Sequence, residues 1–212
     1  HLRAERAWDE GRFADEAMTL YPSPKREPIH FDTGIRRGQS MEALGKLSTV
    51  FDRKFGTVTA GNSSQITDGA AALLVMREDK AKALGYTPLA RIRGYAYTGC
   101  DPARMGLGPA FACEKLFKRC GVALSDVNLV ELNEAFAAQV IACERVFESR
   151  ALAEKYGLAA PLGKFDRARL NVNGGAIAMG HPVGASGARL ALTLALEMKR
   201  RRAALGLATL CV

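Results

Sequence analysis

The sequence lacks the arrangements by which cysteine and histidine hold a metal or staple a fold. Its five cysteines, Cys100, Cys113, Cys120, Cys143 and Cys211, include no CxxC pair, and no histidine stands at ligand spacing from them. No metal site and no disulfide framework is indicated, and the compartment reads as reducing. No apolar run reaches the length of a membrane span, and no charged start leads into the hydrophobic middle of a secretory signal. Nucleic acid is disfavoured as a partner, because no binding motif is present and no aromatic residues interleave a basic stripe. An initiating Met is also missing. The chain opens His1-Leu2-Arg3 and closes Leu210-Cys211-Val212 straight after an apolar run, so both ends are expected to be cuts.

What is present suits a globular α/β protein. The 212 residues are 48% hydrophobic and 25% charged, enough to bury a core in one large domain or two small ones. A formal charge of +8 points to an anionic partner, and a phosphate-bearing small molecule accounts for it. The run Lys199–Arg202 is read differently, as cations that complement the dipole at a helix end. Cys113, Cys120 and Cys143 fall in helical patterns and read as small buried hydrophobes.

The densest information lies in residues 170–189, LNVNGGAIAMGHPVGASGAR. A short apolar run enters a Gly-Gly pair, then a Gly-His-Pro triplet, then a glycine-rich turn ahead of a long helical pattern. This predicts strand, tight loop and helix, with His181 presented to a ligand by a loop of small residues. The chain before it opens with a charged helix over 2–13 and an irregular segment broken by Pro22, Pro24 and Pro28. A helix capped by Ser40, a turn at 51–56 and a small polar stretch from Thr57 follow, the last running into a strand pattern over 71–76. Beyond that come a helix over 79–85, a strand over 89–97, a helix over 109–120 closed by Gly121, and a strand over 127–132. The junction Asn133-Glu134 opens a helix reaching about residue 150, and a strand over 170–173, a helix over 185–202 and a strand over 205–212 complete the chain. The alternation from residue 89 onward predicts a layered α/β fold with Asn133, His181 and Cys211 at comparable strand ends, where ligands gather. An imidazole and an amide can bind an oxygen that acquires negative charge, and an exposed thiol at Cys211 can move a proton or attack a carbonyl.

The motifs NVNGGAIAMGHPVGASGAR, NEAFAAQ, GTVTAGNSSQITDGAAALLVM and the terminal TLCV resemble the thiolase family of acyl-CoA:acetyl-CoA acyltransferases over essentially the whole chain. The resemblance implies a layered αβαβα fold of two similar halves, here incomplete. Residues 1–57 would be the tail of a CoA-binding loop domain, 58–90 the end of the N-terminal half, and 91–212 a truncated C-terminal domain. It further implies that His181 activates a nucleophilic cysteine and helps bind the thioester oxygen. Asn133 would hold a water that completes that oxyanion site, and Cys211 would be the acid/base that exchanges a proton with acetyl-CoA. Ser64 would contact pantetheine, Arg36 the adenine end of coenzyme A, and Phe136 the acyl chain. Coenzyme A and acyl-CoA are thus substrates, with no permanently bound cofactor.

None of the five cysteines carries the family's nucleophile motif, which would lie upstream of residue 1, so the chain by itself is expected to be inactive. The connection over 144–169 resembles that of degradative 3-ketoacyl-CoA thiolases of β-oxidation. A biosynthetic acetyl-CoA C-acetyltransferase is the alternative, and a non-catalytic thiolase-like protein that binds acyl-CoA or a partner is a third reading. The resemblance also implies a homo-oligomer, dimer or tetramer, or a subunit of a multifunctional β-oxidation assembly. Its location would be cytoplasmic in a bacterium, mitochondrial or peroxisomal in a eukaryote.

Overall fold

Two short parallel strands form the centre of the computed structural model, which describes residues 1–211. Strand β1 (Leu129–Leu132) pairs with β2 (Gly206–Thr209) in the register Leu129↔Gly206, Val130↔Leu207, Glu131↔Ala208 and Leu132↔Thr209. Successive side chains of a strand point to opposite faces, and the packing divides accordingly. Val130, Leu132 and Leu207 enter the main core, whereas Leu129 packs with Val172 and Leu194 in a second cluster.

The helices are placed by those two faces. Short α1 (Leu2–Asp9), α2 (Met41–Gly45) and α3 (Glu78–Ala83) lie in the first part of the chain. Helix α4 (Gly108–Cys120), α5 (Ala137–Glu148) and α6 (Arg150–Lys155) bury Cys113, Phe117, Cys143, Phe147 and Ala153 against the Val130 face. On the other face, α7 (Ala176–Met179) leads into α8 (Val183–Arg201), whose Leu194 and Met198 meet Leu129. The result is helix, sheet, helix. None of the helices among the described residues is long and apolar enough to cross a membrane.

Local signals for helix ends are obeyed. Ser40 Oγ accepts from Ala43 N at 3.1 Å, and Gly121 adopts a left-handed φ of 61° that stops α4. The helix expected to run from the Asn133-Glu134 junction to about residue 150 is instead broken at Ser149, whose ψ of 121° leaves the helical region before its side chain caps α6. The opening helix ends at Asp9 rather than at 13.

The strand expectations fare differently. Residues 71–76 and 89–97 carry no ladder hydrogen bonds, and with the loss of the strand over 170–173 the five expected strands reduce to two among the described residues. A strand exists only through a partner's hydrogen bonds, and the 89–97 segment finds side chains of α4 instead. Lys115 Nζ donates to Tyr97 O at 2.9 Å and Arg119 Nη1 to Tyr95 O at 3.2 Å. The strand expected over 170–173 shrinks to one bridge, Val130↔Leu170, because Asn171 turns to a φ of 46° and breaks the extended run. The last strand stops at Thr209, and Val212 lies outside the described residues.

Candidate active site

The loop between α7 and α8 aims His181 by close backbone contact. Gly180 has a φ of 87°, and a Cβ there would collide with Thr67. Pro182 then begins the turn that becomes α8: Ser186 N donates to Pro182 O at 2.9 Å, and Ser186 Oγ donates to the same oxygen at 3.1 Å. With its proton used there, Ser186 Oγ accepts from His181 Nδ1 at 2.6 Å. The network therefore assigns the imidazole proton to Nδ1 and leaves Nε2 as the basic nitrogen.

That nitrogen faces Asn133. His181 Nε2 lies 3.2 Å from Asn133 Nδ2, which donates to it. Asn133 directly follows β1, and its backbone N–H continues the ladder to Thr209 O at 3.0 Å. The amide is buried, and its Oδ1 has no partner. A buried acceptor beside a basic imidazole is a ready seat for a water or a ligand donor. Burial, and secondly the Arg189 cation, holds His181 below its ordinary pKa, so the ring is neutral at pH 7.

The small polar stretch from Thr57 stitches the two loops together. Ser64 N donates to Ala135 O at 2.9 Å, Ala137 N to Asn62 O at 2.9 Å, and Ser63 forms a bridge with Phe136. One residue on, Gln65 O accepts from His181 N at 3.3 Å, while Gln65 Nε2 donates to Gly34 O at 2.7 Å and Ala178 O at 3.2 Å. Ser64, Phe136, Asn133 and His181 thus share one locality. Phe136 is half-buried, its ring 6.3 Å from that of Phe51. A shallow cleft of about 400 Å³, bounded by residues 67–71 and 182–185, opens beside the turn that follows His181. Arg36 stands further off, exposed, two residues from the Gly34 carbonyl that Gln65 holds.

Cys211 differs from its expectation in one respect: the thiol is buried, not exposed. The chain beyond β2 passes between the starts of two helices, with Leu210 against Gly187 and Cys211 against Gly108. Burial pushes the thiol's pKa up, and Cys100 adds to the shift, so the group is a protonated thiol at neutral pH. Because Asn133 N reaches Thr209 O, Cys211 lies at the same strand ends as Asn133.

Residue patterning did not reveal three supporting groups. Glu134 Oε1 accepts from Asn171 Nδ2 at 2.9 Å and its Oε2 from Ile177 N at 3.3 Å, which ties the Asn133 loop to α7. A Cβ on Gly175 would collide with that carboxylate, which gives the Gly-Gly pair a packing reason. Ser186 and Gln65 act as described above. The usable signal for Ser186 was its place in the first turn of the helix that follows Gly-His-Pro.

Residues 86–212 match the family model described as thiolase, C-terminal domain, and residues 1–79 match thiolase, N-terminal domain. A 3-ketoacyl-CoA thiolase of Pectobacterium atrosepticum is 46% identical over the whole chain, which covers 49% of that protein. The chain spans about half the length of the curated relatives it matches. Among solved structures, the acetyl-CoA acetyltransferase of Bacillus anthracis has a TM-score of 0.87 at 40% identity, covering 100% of this chain and 50% of that one. A human mitochondrial 3-ketoacyl-CoA thiolase in complex with CoA has a TM-score of 0.82 at 39% identity, covering 99% of this chain and 48% of that one.

Proposed function

The chain belongs to the thiolase family, and from that premise we propose that the protein is a degradative 3-ketoacyl-CoA thiolase. It would cleave a 3-ketoacyl-CoA with coenzyme A into a shortened acyl-CoA and acetyl-CoA. The observation that carries this reading is the His181–Asn133 contact, with a basic Nε2 and an unpartnered amide oxygen side by side.

In the proposed reaction a cysteine thiolate attacks the C3 carbonyl and the C2–C3 bond breaks. The electron pair goes to C2, and the Cys211 thiol protonates that carbon to give acetyl-CoA. The Cys211 thiolate then takes the proton of the coenzyme A thiol, whose sulfur attacks the acyl-enzyme and releases acyl-CoA. His181 Nε2 accepts the proton of the nucleophilic thiol and, with the water held by Asn133, binds the thioester oxygen. We assign the nucleophile to the half of the relatives' length that this chain does not span, and residues 1–212 alone to an inactive state. The raised pKa of Cys211 supports a proton carrier rather than a standing thiolate.

Coenzyme A is assigned to Ser64 through pantetheine and Arg36 near its phosphates, with Phe136 on the acyl side. The assigned domains are 1–57 as loop-domain tail, 58–90 as the end of the N-terminal half and 91–212 as the C-terminal domain. The names of the bacterial relatives support the degradative reading and a cytoplasmic homo-oligomer is proposed with it. The likeness to an acetyl-CoA acetyltransferase supports the biosynthetic alternative. Thiolysis assays of the complete polypeptide with acetoacetyl-CoA and a medium-chain 3-ketoacyl-CoA decide between them. Preference for the longer substrate is expected, with activity reduced roughly a hundredfold or more in His181→Ala. No turnover of either substrate by the folded wild type would overturn the function.

A further inference from the structure

Helix α8 carries a buried polar stripe that the proposed reaction does not use. Ser186, Thr193 and Glu197 are almost wholly inaccessible, and Arg189 stands among them, three residues after Ser186 and four before Thr193. Three of the stripe's members are satisfied, Ser186 through Pro182 O and His181. Thr193 Oγ1 donates to Glu16 Oε1 at 3.1 Å, and Glu197 accepts from Asn173 Nδ2 at 3.0 Å and from the side chains of Arg200 and Arg201. Arg189 is not: Nε, Nη1 and Nη2 are all buried without a hydrogen-bond partner.

Across the interface lies a second unsatisfied group. Glu131 occupies the centre of β1, is 2% exposed, and its Oε2 has no partner. Strand alternation puts it on the face of Leu129, which packs against Leu194 and Met198 of α8, and on the face of Asn133 two residues later. A guanidinium and a carboxyl are therefore buried at one helix–strand interface. The strand delivers Asn133 and the helix delivers Ser186, the residue that orients His181.

We propose that Arg189 is a positioning residue for the His181–Asn133 pair, its buried cation facing Glu131 across the β1–α8 interface and holding helix and strand in the register that sets their 3.2 Å contact. This rests on the thiolase reading of the same site. A guanidinium stays charged at any physiological pH, so without acidic neighbours its burial would be prohibitive. Those neighbours are Glu16 from the segment after α1, Asp32 from the loop before α2, and Glu131 from β1, while His181 faces it from the preceding loop. Glu131 in turn faces Glu16, Glu134 and Glu197. The attraction acts through space and grows as Glu16 and Glu131, their pKa values raised by burial to about 7 and about 8, ionise, which makes it sensitive to the charge at position 189 more than to the donor geometry.

The test compares Arg189→Met and Arg189→Lys in the complete polypeptide. Three readouts are needed: kcat, KM for the 3-ketoacyl-CoA, and the His181 imidazole titration followed by NMR, its signal assigned against His181→Ala. Arg189→Met should lower kcat about tenfold or more, keep KM within about twofold, and raise the imidazole pKa by removing a facing cation. Arg189→Lys keeps the charge, so it should recover most of kcat and leave the titration near wild type. Wild-type kcat and titration in folded Arg189→Met would overturn the proposal, as would equal losses in both variants. Should Arg189→Met fail to fold, Glu131→Gln assayed near pH 9, above the Glu131 value of about 8, decides in its place: a fall in kcat at constant KM supports the role, and an unchanged kcat overturns it. An inactive wild type would defeat the thiolase reading instead, and the imidazole titration would still report on Arg189.

Discussion

The side chain of Asn171 closes on the backbone of Leu132 from both sides: its Oδ1 accepts from Leu132 N at 2.9 Å and its Nδ2 donates to Leu132 O at 2.8 Å. The same Nδ2 reaches Glu134 Oε1, so one buried amide fixes the strand end from which Asn133 projects. Replacing it with Ala would leave a buried N–H and C=O unsatisfied. Asn171→Ala is expected to lower stability by about 2–4 kcal/mol, measurable by denaturant unfolding. Asn171→Asp keeps the acceptor but sets a carboxylate against Leu132 O and Glu134, so it should be no milder. A loss within experimental error in either variant would show that the strand end holds without this clamp.

Ser186 sets the tautomer of His181, because its hydroxyl proton is committed to Pro182 O. Without that acceptor the Nδ1 proton has no fixed partner and the ring is free to rotate away from Asn133. Ser186→Ala in the complete polypeptide should therefore reduce kcat about ten- to hundredfold with the fold retained. Ser186→Thr keeps a hydroxyl and should recover part of the loss. Equal activity of Ser186→Ala and wild type would mean that Asn133 alone orients the ring.

What was legible in the sequence was local or carried by motif. Helix α4 starts one residue before the expected 109 and ends at the expected 120, since Pro109 and Gly121 mark its two ends by backbone preference. The GHP and NEAF motifs marked His181 and Asn133, and strand-end logic grouped them. Contacts decided by distant partners were not legible. The 89–97 segment has strand composition, yet whether it pairs depends on what lies beside it, and here that is α4. The bend at Asn171 overrode an apolar run because its side chain is engaged with β1. Lys199–Arg202 close α8 as the cationic helix end that the sequence predicts, but Arg200 and Arg201 also fold back on buried Glu197. Composition cannot distinguish a solvated arginine from one that neutralises a buried acid.

Buried carboxyls make stability depend on pH in an unusual direction. Burial pushes Glu131 up to about 8 and Glu16 up to about 7 from an ordinary 4.5, with the Arg189 cation opposing both shifts. The unfolded chain releases these protons near pH 4.5 whereas the folded chain keeps them, so stability falls as pH rises through that interval. Glu131→Gln removes the larger contribution. Its melting temperature should exceed that of wild type by a margin that grows between about pH 5 and pH 8. A constant difference over that range would mean that Glu131 is ionised throughout, its charge met by Arg189.

The buried thiol of Cys211 separates the two halves of the proposed reaction. Protonation of C2 and deprotonation of coenzyme A pass through this sulfur, whereas transfer of an acyl group onto the nucleophile from a simple thioester does not. Its pKa is raised by burial, which in the proposed reaction would keep the proton on sulfur until the developing carbanion takes it. A serine at the same position preserves the hydrogen-bonding shape but gives up a proton far less readily. In the complete polypeptide, Cys211→Ser should slow exchange of the acetyl-CoA α-protons with deuterated solvent by about a hundredfold or more, while single-turnover acylation by acetyl-CoA stays within about tenfold of wild type. Parallel losses in both steps would assign Cys211 to packing against Gly108, and the proton transfer would then need another carrier.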